Sequence, residues 1–96
     1  MSQPTLEENI ANAAKALKAL GHPTRLDIII SLENYEMSVG TLSDILEIDQ
    51  STVSKHLKIL LDAGVLKLRR DGRAHFYQLK NPEYTGLITK LVAGRL

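Results

Sequence analysis

Ninety-six residues are enough for one domain, whose small core buries only about 60–65% of the surface that the unfolded chain exposes. Hydrophobic residues make up 44% and aromatics 4%, the profile of a helical fold built on Leu, Ile and Ala, and the absence of cysteine excludes disulfides, thiolate metal sites and thiol redox chemistry. The net charge of +1 conceals an asymmetry: residues 1–49 carry three basic and eight acidic groups, residues 50–80 seven basic and two acidic. A near-neutral chain with one basic segment predicts a local polyanion-binding surface rather than general stickiness. Residues 1–9 are polar and every apolar run is only a few residues long. Neither a signal peptide nor a membrane span is therefore expected, and a cytoplasmic location is.

Thr5 and Glu8 have the spacing of a capping box. Leu6, Ile10, Ala13, Ala14, Leu17 and Leu20 then fall on one side of a helix over Leu6–Leu20, which Gly21 ends. Pro23 suits the first position of a second helix, where its missing N–H costs nothing, and Leu26, Ile29, Ile30 and Leu32 give that helix an apolar side as far as about residue 34. Ser38 is placed to cap a third helix ending at Leu46, with Leu42, Ile45 and Leu46 as its core residues. Glu47, Ile48 and Asp49 make a tight turn; Asp49 caps a fourth helix, Gln50–Asp62, and Gly64 stops it. Residues 65–79 read as a basic hairpin folded at Asp71-Gly72, in which Leu66, Leu68, Phe76 and Ala74 alternate with polar residues. Asn81-Pro82 opens the last helix, with Tyr84, Leu87, Ile88, Leu91 and Val92 on one face.

The fourth helix has two unlike faces. Val53, Leu57, Leu60 and Leu61 form a buried stripe, whereas Gln50, Ser51, Ser54, Lys55 and Lys58 fall on the other side with no carboxylate before Asp62. A solvated helix ordinarily mixes Glu with Lys; an acid-free polar face suits approach to phosphates and base edges. The first and last helices each carry an apolar stripe, and a three-helix core with a hairpin has little area to cover both. Either both pack on the protomer's own core, or Leu6, Ile10 and Leu17 together with Tyr84, Leu87, Ile88 and Leu91 pair with a second copy. The expected architecture is mainly α with a β-hairpin wing, in the order α-α-α-α-β-β-α, as a single unit over residues 1–96.

With these residues in view the chain resembles winged helix-turn-helix repressors of the ArsR/SmtB type. The resemblance rests on His22-Pro23-Thr24-Arg25-Leu26, on Glu36 to Leu42 entering the third helix, and on Gln50-Ser51-Thr52-Val53-Ser54-Lys55-His56-Leu57. It extends through Ala63-Gly64-Val65-Leu66 and the wing run Arg69-Arg70-Asp71-Gly72-Arg73, and spans about residues 10–92. It implies a homodimer on an imperfect palindrome of double-stranded DNA, with repression relieved by a signal. It makes Gln50, Ser51, Ser54 and Lys55 groove-facing, with His56 beside them as a packing or phosphate-facing residue, adds Thr52 and Lys58 to the DNA-binding set, and makes Arg69, Arg70 and Arg73 wing contacts to phosphate or the minor groove.

The departures bear on the signal. Where many members have a Cys-Val-Cys run entering the third helix, this chain has Ser38 and Gly40; the last-helix zinc positions fall on Asn81, Glu83 and Gly94, and the final carboxylate would lie past Leu96. Neither familiar metal site is expected, and no cofactor. His22, His56 and His75 are the only histidines and no two have close helical spacing, so they do not suggest a zinc site. No triad spacing and no Gly-rich phosphate loop suggests an enzyme. The signal, if one exists, is expected to be a small organic ligand between the helices, a partner protein, or a change at the dimer interface. Ser54 reads either as a base contact or as a mid-helix serine bonded to its own backbone; Gln50 as an adenine-reading amide or a first-turn polar residue; Arg25 as a structural or a DNA-backbone residue. The reading is a sequence-specific DNA-binding regulator; the rival is a constitutive or partner-controlled winged helix acting mainly through protein–protein contacts.

Overall fold

Seven elements follow one another in the computed structural model, which describes residues 3–94: α1 (Leu6–Leu20), α2 (Pro23–Ser31), α3 (Val39–Leu46), α4 (Gln50–Asp62), β1 (Leu66–Asp71), β2 (Ala74–Leu79) and α5 (Glu83–Val92). Side chains at the helix starts account for most of these boundaries. The Thr5 hydroxyl accepts the Glu8 N–H at 3.1 Å, Ser38 Oγ accepts that of Thr41 at 3.2 Å, and the Asp49 carboxylate accepts that of Thr52 at 2.9 Å. Each satisfies a first-turn donor that the helix itself leaves unpaired. A fourth cap was not evident in the sequence: His22 Nδ1 accepts the Thr24 N–H at 3.1 Å ahead of Pro23. The second helix ends at Ser31, short of the expected residue 34, with Leu32 as its C-cap.

Between α3 and α4, Glu47 adopts the left-handed conformation with φ 55° and Ser43 donates its hydroxyl to the Ile48 carbonyl. Helix α5 starts without a side-chain bond from its cap; Asn81 Oδ1 instead accepts the Glu83 N–H at 3.0 Å. Thr85, a buried polar residue, is satisfied by donating to the Pro82 carbonyl at 2.7 Å.

The core is built from Ile28, Ile29, Leu42, Val53, Leu57, Leu60 and Val65, all fully buried, and closed by Leu20, Leu32, Leu66, Leu79 and Ile88. Two expected core residues lie outside it. Ile30 and Ile45 are exposed, and Ile28 takes the inward position on α2. Three consecutive isoleucines carry no helical phase, so packing rather than pattern selects which two are buried.

The hairpin pairs antiparallel with Leu66 opposite Leu79, Leu68 opposite Tyr77, Arg69 opposite Phe76 and Asp71 opposite Ala74. Its two-residue loop is therefore Gly72-Arg73, one position later than Asp71-Gly72. Gly72 has φ +59° and Arg73 has no positive φ, the pattern of a type II′ hairpin turn. Opposed residues share a face, so Leu66, Leu68, Tyr77 and Leu79 lie on one side while Phe76 sits on the other with Arg69. The expected alternation of Leu66 and Leu68 with Phe76 and Ala74 therefore fails on the second strand: Ala74 is exposed and Tyr77 occupies the inner register. A third strand position joins the wing from outside it. Met37 exchanges both backbone hydrogen bonds with Tyr77, at 3.0 and 2.8 Å, and ties the approach to α3 onto β2.

Candidate nucleic-acid interface

Helix α4 shows the two faces that its sequence implies. Val53, Leu57 and Leu60 are buried, and Gln50, Ser51, Ser54, Lys55 and Lys58 are exposed. Each exposed group has a different local setting. The Gln50 amide lies near Gly40 of α3, where an added Cβ would stand 3.6 Å from its nitrogen. Lys58 pairs with Asp62 one turn on at 3.2 Å, an exposed i,i+4 pair of small energetic weight. No hydrogen bond ties the Ser54 hydroxyl to backbone among the described residues, which leaves it free to meet a ligand. Thr52 differs: its hydroxyl donates to Asp49 at 2.7 Å and it is half-buried. That bond, with the Thr52 N–H, holds the Asp49 carboxyl below its ordinary range. Thr52 thus serves the cap, and any contact it makes to DNA must share that hydroxyl.

His56 does not join the exposed row. It is half-buried and turned toward the start of α2, where its ring lies 4.6 Å from that of His22 at 49°. Its Nδ1 is buried without a protein partner. Desolvation, then the neighbouring His22 and Arg25, hold its pKa below the usual histidine value. One arm of Arg25 has a structural role: its Nη1 donates to the Ala19 carbonyl at 3.0 Å.

The wing separates its arginines. Arg70 lies exposed opposite His75, and Arg73 is exposed at the tip. Arg69 is instead turned to the other face. Its Nε donates to both carboxylate oxygens of Glu36 at 3.0 and 2.9 Å, its Nη2 donates to the same carboxylate, and it stacks over Phe76 at 4.7 Å. The pairing lowers the Glu36 pKa and raises that of Arg69. Arg69 is thus a clamp between the α2–α3 connection and the wing, its charge already matched, rather than an open phosphate contact as expected. Nothing in the sequence pointed to Glu36, which stands 33 residues away from its partner.

Two apolar stripes lie outside the core. On α1, Leu6 is 74% exposed and Leu17 61%, with Ile10 also exposed, while Ala16, Ala19 and Leu20 make this helix's own core contacts. On α5, Leu87, Leu91 and Val92 are exposed and Tyr84 is half-buried. Ile88, expected on the same outward surface, is 2% exposed and belongs to the protomer's core, so it is not available to a second copy. The two helices approach across a cleft lined by Asn12, Ala13, Ala16 and Tyr84. The account in which both stripes pack on the protomer's own core therefore fails for Leu6, Ile10, Leu17, Leu87 and Leu91.

Among the described residues no group of three His, Cys, Asp or Glu side chains is placed to hold a metal ion, and no helix is long and apolar enough to cross a membrane.

A tri-helical core of α2, α3 and α4, the last of which carries an exposed acid-free row, followed by a β-hairpin wing, defines a winged helix-turn-helix. The model of the bacterial regulatory protein arsR family matches residues 22–67. The chain is 38% identical over 94% of its length to a biofilm growth-associated repressor of Agrobacterium fabrum, covering 77% of that protein. It is 37% identical over 95% of its length to the transcriptional activator HlyU of Vibrio cholerae, covering 84% of it. A solved structure of Vibrio cholerae HlyU superposes with a TM-score of 0.78 over 92% of this chain and 96% of that one. The transcriptional repressor PagR of Bacillus anthracis also gives 0.78, at 36% identity over 86% of this chain and 95% of that one. The protein belongs to the ArsR family of winged helix-turn-helix regulators. It is a DNA-binding transcriptional regulator and not an enzyme, and a role mainly in protein–protein contact is not favoured.

Proposed function

We propose that the protein is a homodimeric repressor that reads an imperfect palindrome with two copies of α4 and clamps the flanking backbone with two wings. The observation that carries this reading is the exposed, carboxylate-free row Gln50, Ser51, Ser54, Lys55 and Lys58 on α4, together with the exposed Arg70 and Arg73 of the wing. In it Gln50, Ser51 and Ser54 face base edges, and Lys55, Lys58, Arg70 and Arg73 meet phosphates. The exposed Leu6, Ile10 and Leu17 of α1 and Leu87 and Leu91 of α5, with the rim of Tyr84, supply the subunit contact. Residues 1–96 act as one DNA-binding unit, working in the cytoplasm where the operator is. Repression in the Agrobacterium fabrum and Bacillus anthracis relatives supports this sign of regulation, whereas HlyU is described as an activator. A small molecule or partner protein supplies the release signal.

A two-fold dimer of this kind places its recognition helices about 34 Å apart, so the half-sites should be centred about one DNA turn apart or a small multiple. The test is selection of bound fragments from genomic DNA with purified protein, followed by footprinting and sedimentation of the complex. Two symmetric protections per dimer, with affinity that rises steeply as salt falls, are the expected result. A monomer bound singly to DNA, or binding indifferent to salt, overturns it.

A further inference from the structure

A cleft of about 460 Å³ opens between α1, the start of α2 and the C-terminal half of α4, lined by Lys15, Lys18, Ala19, Arg25, Ile59 and Ala63 with Asp62 at its edge. Its size falls in the range of small-molecule sites. Three of its residues are cationic, and no salt bridge is formed by Lys15, Lys18 or Arg25 among the described residues. The single acid, Asp62, stands at the edge of the cleft and is outnumbered by the three cations. The cleft therefore gathers all three cations of residues 1–49 against the C-terminal half of α4. Its floor, formed by Ala19, Ile59 and Ala63, is apolar, and Ile59 remains exposed although it sits on a helix whose other large aliphatics are covered.

Arg25 supplies the independent observation. One arm of its guanidinium is used, with Nη1 donating to the Ala19 carbonyl at 3.0 Å. Its Nε–H is buried and has no acceptor in the protein. Its Nη2 makes no hydrogen bond among the described residues and is not one of the buried unpaired atoms, so this arm of the guanidinium is the one an acceptor from outside can reach. A carboxylate fits both requirements, since it accepts from guanidinium and ammonium groups together.

We propose that this cleft binds a small amphiphilic organic acid, its carboxylate held by Arg25 with Lys15 and Lys18 and its hydrocarbon part resting on Ala19, Ile59 and Ala63. The ligand joins α1 to α4, so it couples the outer helix to the recognition helix. That coupling rests on the repressor reading above; the binding itself does not.

The probes are phenylacetate and phenethylamine, which share an aromatic ring and differ in the sign of their charge. Each is titrated into the full-length protein and followed by backbone amide NMR shifts, in the absence of DNA. Saturable shifts clustered at residues 15–19, 25 and 59–63 with phenylacetate, and not with phenethylamine, are expected. The Lys15→Ala/Lys18→Ala double variant should keep the native spectrum and weaken phenylacetate about tenfold or more. Equal response to both probes, shifts confined to the exposed leucines of α1 and α5, an unweakened double variant, or no saturable binding of phenylacetate at millimolar concentration overturns the proposal. Operator affinity is then measured with and without phenylacetate. Failure of the protein to bind any duplex sinks the repressor reading and leaves the NMR result standing.

Discussion

The three arginines of the wing should not behave alike on DNA, because one of them is already spoken for. Arg70 is exposed and forms no salt bridge among the described residues, whereas Arg69 is held by the Glu36 carboxylate and stacked on Phe76. Each phosphate neutralised by a cation contributes about 0.9 to the slope of log K against log salt, so Arg70→Ala, removing one contact from each subunit of a dimer, should shallow the slope by about 1.8. Across a fourfold rise in salt that is about 1.1 logarithmic units, so wild type should lose about twelvefold more affinity than the variant. Arg69→Ala removes a cation whose charge is locally balanced, and the slope should stay near the wild-type value. Glu36→Gln leaves Arg69 over Phe76 with only the more distant Asp71 carboxylate, at 3.9 Å, beside it, and the slope should steepen, by less than about 1.8. The assay is fluorescence anisotropy of an operator duplex over a salt series, with circular dichroism to check that the wing variants fold. If Arg69→Ala shallows the slope as much as Arg70→Ala, or Glu36→Gln leaves it unchanged, the clamp does not shield Arg69 and the argument fails.

Ser54→Ala or Gln50→Ala should cost about 1–3 kcal/mol on the preferred operator and relax base choice at one position, as read by competition against single-base variants. Leu91→Glu should place an unpaired charge in both halves of the subunit contact and dissociate the dimer; sedimentation equilibrium checks this, and a variant that stays dimeric places the contact elsewhere. His56 is held below its ordinary value of 6.5 by burial and by His22 and Arg25, so the unfolded chain binds a proton there that the folded chain resists. Its contribution to stability is therefore complete above about pH 6.5 and declines as pH falls through the folded value; denaturant midpoints should drop over that range and His56→Phe should flatten the trend. Zinc, nickel or cobalt at one equivalent per subunit should leave the operator complex intact, and release abolished by substituting a histidine would contradict this.

Most element boundaries were legible because their causes are local. Thr5, Pro23, Ser38, Asp49 and Gly64 act within a few residues of themselves, and the observed helix starts follow them. The two-faced character of α4 was equally legible, since Val53, Leu57, Leu60 and Leu61 repeat at helical spacing within its thirteen residues. What failed was decided at a distance. Ile30 and Ile45 are chemically as fit for burial as Ile28, and only the packing of α2 and α3 leaves them outside. The strand register, which puts Tyr77 inward and Phe76 under Arg69, depends on where the hairpin turns and on Met37 joining from another part of the chain. His56 illustrates the same limit at the site: its position in the recognition helix left packing and phosphate contact both open, and the ring it packs on, that of His22, arrives from the cap of a different helix.

The turn between α3 and α4 has a consequence for how such a regulator can change its target. Ser43, Glu47 and Asp49 set the angle of the reading helix with bonds made entirely inside residues 43–52. The separation of the two reading helices in the proposed dimer depends on other residues, those of α1 and α5. Word and spacing are thus written in different places. Exchanging side chains along the outer row of α4 can alter which bases are recognised while the gap between half-sites is conserved, and drift in the terminal helices can alter the gap while the vocabulary is kept. A duplicated copy of this chain can therefore diverge toward a new operator in small, separable steps, with no intermediate that must relearn both at once.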